Sequence, residues 1–472
     1  MTQSNPHDEH HTGGWKEVFS GEYLLYTLML NGGMLLFAIN TFVVATVMPS
    51  VVKDLGGVGY LTWAFSLFAV GSIIGAAGSG PMRDTFGAKR AYAGAGLLLA
   101  IGLLGSALAP SMPVLVSWRL LQGIGGGALA SLSYGLVAAM YPQRLRGRVL
   151  STISSTWGIA TLGGPGYGAL FAAPGLWRAA FWSLAPMTLL FAALAWRYVS
   201  GATDPALRTR MPWWRLTFLA LAVLLLSATS LTTSLWIQAL LMAAGILLTA
   251  FALVRDARAE RGIFPKRATA IATEMGALYW IFFFVSMMIA FISTYTTYYL
   301  QTLHAVAPLT AGYLFAIQSL MWTASALLVA AQPLSRTAAL VVIGLSMLLL
   351  SSAAIAWTVA SGPVVLLAIA IGLSGAGIGF INNPAIQHII AVAPPHEKQI
   401  AGGSVQTVRN IGMSFGAAIS GTIAVSAGLV DGAPQPVIAH AMQWVYAVNT
   451  VIGICALAIA ALVLRGGSKD NR

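Results

Sequence analysis

The sequence predicts an all-α polytopic membrane protein that crosses the bilayer fourteen times, and three observations carry that prediction. Fifty-eight per cent of the 472 residues are hydrophobic and only 8 % are charged, outside the range of soluble domains. The apolar residues fall in blocks long enough for a helix to cross about 30 Å of hydrocarbon. Lysine and arginine gather in alternate gaps between these blocks, the pattern left when basic residues are retained in the cytoplasm. The formal charge of +12 then belongs to a membrane surface and not to a nucleic-acid partner.

The spans read 22–48, 60–80, 91–110, 113–139, 149–173, 178–199, 214–233, 236–254, 276–300, 308–331, 337–358, 363–391, 400–427 and 439–464. Residues 1–21 form a polar cytoplasmic tail with no removable signal peptide. Its His7-Asp8-Glu9-His10-His11 run offers metal-binding residue types but reads as a solvated tail. Residues 22–200 form a first six-helix bundle. Residues 201–270 hold two linker spans and a basic cytoplasmic loop. Within it the apolar segment 214–254 is too long for one crossing, because about 41 residues at 1.5 Å each reach about 60 Å. Arg208, Arg210 and Arg215 precede it and Arg255, Arg258, Arg261, Lys266 and Arg267 follow it. Two basic flanks require two crossings, with a turn near Ser230–Ser234. Residues 271–465 form a second six-helix bundle, and 466–472 a second cytoplasmic tail.

With both termini inside, only Lys53 and Arg178 fall outside, and Arg119 lies within a span. A single cysteine, Cys455, excludes an internal disulfide. No Asn-x-Ser/Thr sequon occurs, which favours a bacterial inner (plasma) membrane.

Span four carries Gly123, Gly125 and Gly127, and span twelve repeats the ladder at Gly375, Gly377 and Gly379, 252 residues later. The repeat has the same direction in both copies, as two parallel six-helix halves would.

Between spans two and three the chain reads Gly80-Pro81-Met82-Arg83-Asp84-Thr85-Phe86-Gly87-Ala88-Lys89-Arg90. Glycine permits a tight turn there and Asp84 can cap the next helix. Span four reads Leu115-Val116-Ser117-Trp118-Arg119-Leu120-Leu121-Gln122-Gly123, and span five carries Gly158, Gly163-Gly164-Pro165-Gly166 and Gly168. Together these motifs resemble the major facilitator superfamily. With Trp177-Arg178-Ala179-Ala180-Phe181-Trp182 and Tyr298-Tyr299-Leu300-Gln301, they resemble its fourteen-span drug:proton antiporter branch. Thr85 and Ala88 stand where that family has basic residues, and Ala160 and Ala169 where it has glycines.

The resemblance implies two six-helix bundles plus two inserted linker helices, and export of a small amphipathic organic compound or drug by alternating access. It makes Asp84, Gly87, Lys89 and Arg90 a cytoplasmic latch and ties Arg119 to proton coupling. An arginine in a span costs about 2.5–3.5 kcal/mol, so Arg119 should face a partner or a watery cavity, or else snorkel outward. Gly163, Gly164, Pro165 and Gly168 would pack and bend span five.

One departure matters. Asn40 stands where the branch has an aspartate, and no carboxylate lies at mid-membrane, which weakens a proton cycle run by a central acid. The remaining titratable candidates are His304, His388 and His440, of which His388 lies on span twelve near its inner end. The cavity lining is read as Asn40, Gln122, the face of Phe291 and Tyr295, Gln318 with Trp322 one turn on, and Asn382 and Asn383 beside Pro384, where unwound backbone is expected. Aromatics with neutral amides suit a neutral or anionic amphipath. The expected partners are that small-molecule substrate, protons and the lipid bilayer, with a monomeric chain and no cofactor. A metabolite importer or uniporter (an organic acid or iron chelate) is the rival within transporters. A membrane-embedded transferase lacks the clustered acids or nucleophile it needs.

Overall fold

The computed structural model describes residues 15–172, 176–199, 213–257, 264–266, 268–330, 332–395 and 397–466. The histidine-rich tail, Arg208, Arg210, Arg258, Arg261, Arg267 and residues 467–472 lie outside them. The described residues are helical and contain no strand. The long helices are α1 (Gly21–Leu55), α2 (Leu61–Ala107), α3 (Met112–Gly135), α4 (Gln143–Ala172) and α5 (Trp177–Tyr198). They continue with α6 (Trp213–Ala228), α7 (Leu235–Ala257), α8 (Glu274–Thr302) and α9 (Pro308–Val329). The last four are α10 (Thr337–Thr358), α11 (Val364–Val392), α12 (Lys398–Ser426) and α13 (Gln435–Gly466).

Helix ends follow local chemistry. Proline, which lacks the N–H a first turn cannot use, opens α3 and α9. The Thr273 hydroxyl accepts from Gly276 N–H (3.1 Å) and starts α8. Predicted spans two and three are the two limbs of α2. No loop separates them; the helix breaks at Gly87 alone, whose φ of 84° suits a residue without Cβ. Asp84 consequently sits inside the first limb, three residues before that break. The α6–α7 turn falls at Thr229–Leu231 as a 3-10 helix, next to the position read for it. Pro384 lies within a continuous α11, so the unwinding expected beside it does not occur. By length and apolarity, nine of the described helices qualify as membrane spans. The rest are short, or rich in glycine, serine and arginine.

Helices α1 to α5 pack on one another, α8 to α13 do the same, and α6 and α7 form a hairpin against α2 and α12. The predicted repeat appears as packing. Gly123 and Gly127 on α3 press against the first limb of α2, where added methyl groups would stand 3.0 Å from the Gly71 Cα and 2.8 Å from the Ser72 carbonyl carbon. Gly125, on the opposite face, meets Leu99 of the second limb. In the second half Gly375 and Gly379 press on Gln318 and Trp322 of α9, while Gly377 faces Gly344 and Leu348 of α10. Glycines at i and i+4 serve one neighbour and i+2 the other, as 3.6 residues per turn requires.

The tail end of the bundle is the one where α1 begins and α13 finishes. The far end carries residues 56–60, 229–234 and 427–434. There Trp63 Nε1 donates to Ser230 Oγ (3.1 Å), Ser66 and Ser227 share a hydrogen bond (3.0 Å) and Ser230 donates to the Gly59 carbonyl (3.0 Å). On the other side of the hairpin turn, Thr229 bonds Thr422, and Ser426 donates to Gln238 (3.0 Å).

Candidate functional site

The two halves meet at the far end. The Asp431 carboxylate, between α12 and α13, accepts from the backbone N–H of Gly57 (2.7 Å) and of Val58 (2.9 Å). Thr297 on α8 donates to the Ala45 carbonyl on α1 (2.6 Å), and Gln301 to that of Thr46 (3.4 Å). The Phe42 and Phe315 rings lie 6.0 Å apart across the same seam. Beside it, Asp54 accepts from Trp177 Nε1 (2.9 Å) and Arg178 (2.6 Å). The indole N–H first, then the guanidinium, hold its carboxyl below the usual range. The Trp177-Arg178 landmark is thus a far-end clasp.

At the tail end each half carries its own ion pair. Arg144 pairs with Glu17, and His388 Nε2 lies 3.0 Å from Glu274 across α11 and α8. Arg83 holds Asp84 at 3.0 Å. Past the Gly87 break, Lys89 sits 5.0 Å above the Trp196 ring of α5, and Arg90 is exposed.

Two arginines lie among the helices, Arg119 buried and Arg409 half-buried. Arg119 is 1 % exposed, which rules out snorkelling to a membrane surface. Its Nε donates to the Ala64 carbonyl (3.1 Å), its Nη1 to Gln122 Oε1 (2.5 Å), and it stacks 4.1 Å over the Phe68 ring. Gln122 donates in turn to the Gly102 carbonyl (3.0 Å) and Ser106 (2.6 Å). Gln122 was read as cavity lining; the structure makes it the brace of Arg119 inside the first half.

Arg409 on α12 is the second, and the sequence reading passed over it by counting Arg119 as the one arginine within a span. It lies inside the predicted span 400–427, so the rule that singled out Arg119 would have found it. Arg409 Nη1 donates to Asn382 Oδ1 (3.3 Å), and its guanidinium lies 5.2 Å over Trp322. Asn382 donates to Asn383 (3.2 Å). Three residues expected in the cavity, Trp322, Asn382 and Asn383, are therefore gathered around an unanticipated cation.

The other expected lining residues separate. Phe291 and Tyr295 are fully buried in the main apolar core, because a helical face of aromatics fits a core as well as a cavity. Gln318 is spent on Ser374 (2.9 Å). Asn40 is buried, and among the described residues neither its Oδ1 nor its Nδ2 has a hydrogen-bond partner. On α4, Gly164 presses on Phe42, Gly168 on Thr46 and Val43, and Pro165 on Gly312 across the seam. Nothing stands within 4 Å of a methyl group on Gly163.

The family model of the Major Facilitator Superfamily matches residues 30–217 and 214–417. A probable multidrug-efflux transporter of Mycobacterium tuberculosis is 33 % identical over 430 residues, which cover 87 % of this chain and 90 % of that one. The Multidrug resistance protein 3 of Bacillus subtilis is 27 % identical over 185 residues, 39 % of this chain and 36 % of its own. Among solved structures, a bacterial homologue of the human lysosomal transporter Spinster, inward-facing and unoccupied, aligns with a TM-score of 0.66. It is 13 % identical, with 94 % of this chain and 97 % of that chain covered. The nucleoside transporter NupG aligns at 0.65 and 14 % identity over 93 % and 99 %.

Proposed function

The chain belongs to the major facilitator superfamily, and on that premise we propose that it exports a small amphipathic organic compound from a bacterial cell by alternating access. It is a multi-pass membrane transporter with multidrug-efflux homologues, and not an enzyme. In this reading residues 22–200 and 271–465 are the two rocking halves, the chain crosses fourteen times, and the tail end is cytoplasmic. Asp84, Gly87, Lys89 and Arg90 then work the inner gate.

The observation that carries the proposal is the seam itself. Asp431, Thr297 and Gln301 bind the halves together at the far end, while the tail-end ion pairs of Arg144 and His388 close within each half. That arrangement suits a carrier open to the cytoplasm. Proton coupling, in this reading, involves Arg119 and His388 and not a central acid.

The test is efflux from proteoliposomes under an imposed pH gradient with a mixed panel of dyes, antibiotics and organic acids. Gradient-driven movement is expected, and a panel that equilibrates no faster than through protein-free vesicles would end the reading. The gate has its own test. Asp431→Ala removes the acceptor of two charge-assisted hydrogen bonds, so the outer seam should open more often. In a Cys455→Ser background, an Ala45→Cys reporter should be labelled by an impermeant maleimide about ten-fold faster once Asp431 is gone. Equal labelling would remove Asp431 from the gate.

A further inference from the structure

We propose that Arg409, with Asn382, Ser286 and Trp322, receives the negatively charged head of an amphipathic organic anion, and that such anions are the cargo. The proposal rests on the reading of this chain as a transporter and specifies its substrate class.

Arg409 stands eleven residues into α12, about 16 Å along the helix axis, roughly half the hydrocarbon thickness. A charge at that depth is costly unless something neutralises it. The described residues supply only an amide oxygen at 3.3 Å and an aromatic face at 5.2 Å. Their ion pairs employ Arg83, Arg144, Arg178 and His388, and Arg409 is in none of them. A guanidinium has five N–H donors, and one is engaged here. The contrast is Arg119, whose guanidinium is shared between a backbone carbonyl, a glutamine and a phenyl face. Both arginines lie among the helices, but Arg119 is spent on its own fold.

A second observation points to a ligand at the same place. Arg409 and Asn382 line a narrow cleft with Ser286 on α8, about 10 Å³ as it stands and so no larger than one water, walled by apolar side chains such as Phe282 and Ile378. Ser286 is 1 % exposed and its hydroxyl has no hydrogen-bond partner among the described residues. A buried hydroxyl without a partner is expensive. The cavity therefore offers a fork of N–H donors, an amide and an unused hydroxyl against apolar walls. That set matches a carboxylate or sulfonate, which accepts two parallel bonds from arginine, joined to an apolar body. Binding would neutralise the guanidinium where the dielectric is low, so the loaded site carries no net charge. A cationic amphipath meets repulsion at the same point.

The test uses the full-length protein in nanodiscs and two fluorescent probes of similar ring system and opposite charge, carboxyfluorescein and rhodamine 6G, followed by anisotropy. The wild type should bind carboxyfluorescein saturably. Arg409→Gln should weaken that binding about ten-fold or more while leaving rhodamine 6G unchanged or tighter, and Arg409→Lys, which keeps the charge and loses the fork, should recover part of the anion binding. Where Arg409→Gln does not fold, Asn382→Leu and Ser286→Ala each have to weaken the anion selectively. Unchanged carboxyfluorescein binding in the folded variants, or no saturable binding by the wild type, overturns the proposal. Binding is read without any gradient. A carrier that binds the anion and moves nothing would defeat the export reading and leave this site standing, and gradient-driven movement of rhodamine 6G alone would do the reverse.

Discussion

Valine at Gly75 should leave no folded carrier to recover from the membrane. Gly75 lies on the first limb of α2 where α3 crosses it, and a methyl group there would stand 2.8 Å from the carbonyl carbon of Ile124 and 2.9 Å from the Ala128 nitrogen. Those are backbone atoms of a helix held on its other side by Gly125 against Leu99, so α3 has nowhere to retreat. Overpacking against movable side chains already costs about 1–3 kcal/mol; here the obstacle is main chain, and the added group is larger than a methyl. One turn earlier a methyl group on either Gly71 or Gly123 would stand 3.0 Å from the other's Cα, so the whole crossing separates if Gly75 is filled. Fluorescence-detected size-exclusion chromatography of the solubilised protein should show Gly75→Val as aggregate. Gly94→Val, at a glycine with open space around it, should elute as the wild type does. A monodisperse Gly75→Val peak at wild-type height would mean that the α2–α3 contact does not set the fold.

Arg119→Ala should cost stability first and transport with it. The substitution leaves the Gln122 oxygen buried and unpaired, at about 1–3 kcal/mol. It also removes a desolvated cation over the Phe68 ring, worth about 2 kcal/mol. Melting of the detergent-solubilised protein should fall by about 5 °C or more, and efflux by about ten-fold or more. Arg119→Lys should not restore it, because a single ammonium cannot hold the Ala64 carbonyl and Gln122 together in the planar geometry of a guanidinium. An Arg119→Ala protein that melts with the wild type would show the brace to be dispensable, and any loss of efflux in it would then be read from its pH dependence as a loss of coupling.

The sequence made most of the fold readable because bilayer thickness and basic gaps constrain helix length and direction independently. The glycine ladder is an instance: read as a parallel repeat, it stands in the structure as matching close contacts of α3 and α11 in the two halves. What periodicity cannot do is tell a core face from a cavity face. Phe291 and Tyr295 recur at helical spacing, and they are packed solid. Nor can a dipeptide decide whether proline unwinds a helix; after Asn382-Asn383 the α11 helix runs on through Pro384. Arg409 was missed for another reason. It lies within the predicted span 400–427 and carries the same insertion cost as Arg119, yet it falls only eleven residues from the basic loop at Lys398 and merges with the basic end of its helix. Asp431 had no signal at all, because its partners are backbone amides 373 and 374 residues away.

The hairpin of α6 and α7 holds the first half through Gly59, Trp63 and Ser66 and the second through Thr422 and Ser426. Any parting of the far end must therefore tear one of these grips and keep the other. The inserted pair is a tether across the exit, and the aperture through which cargo leaves is bounded by the reach of that tether.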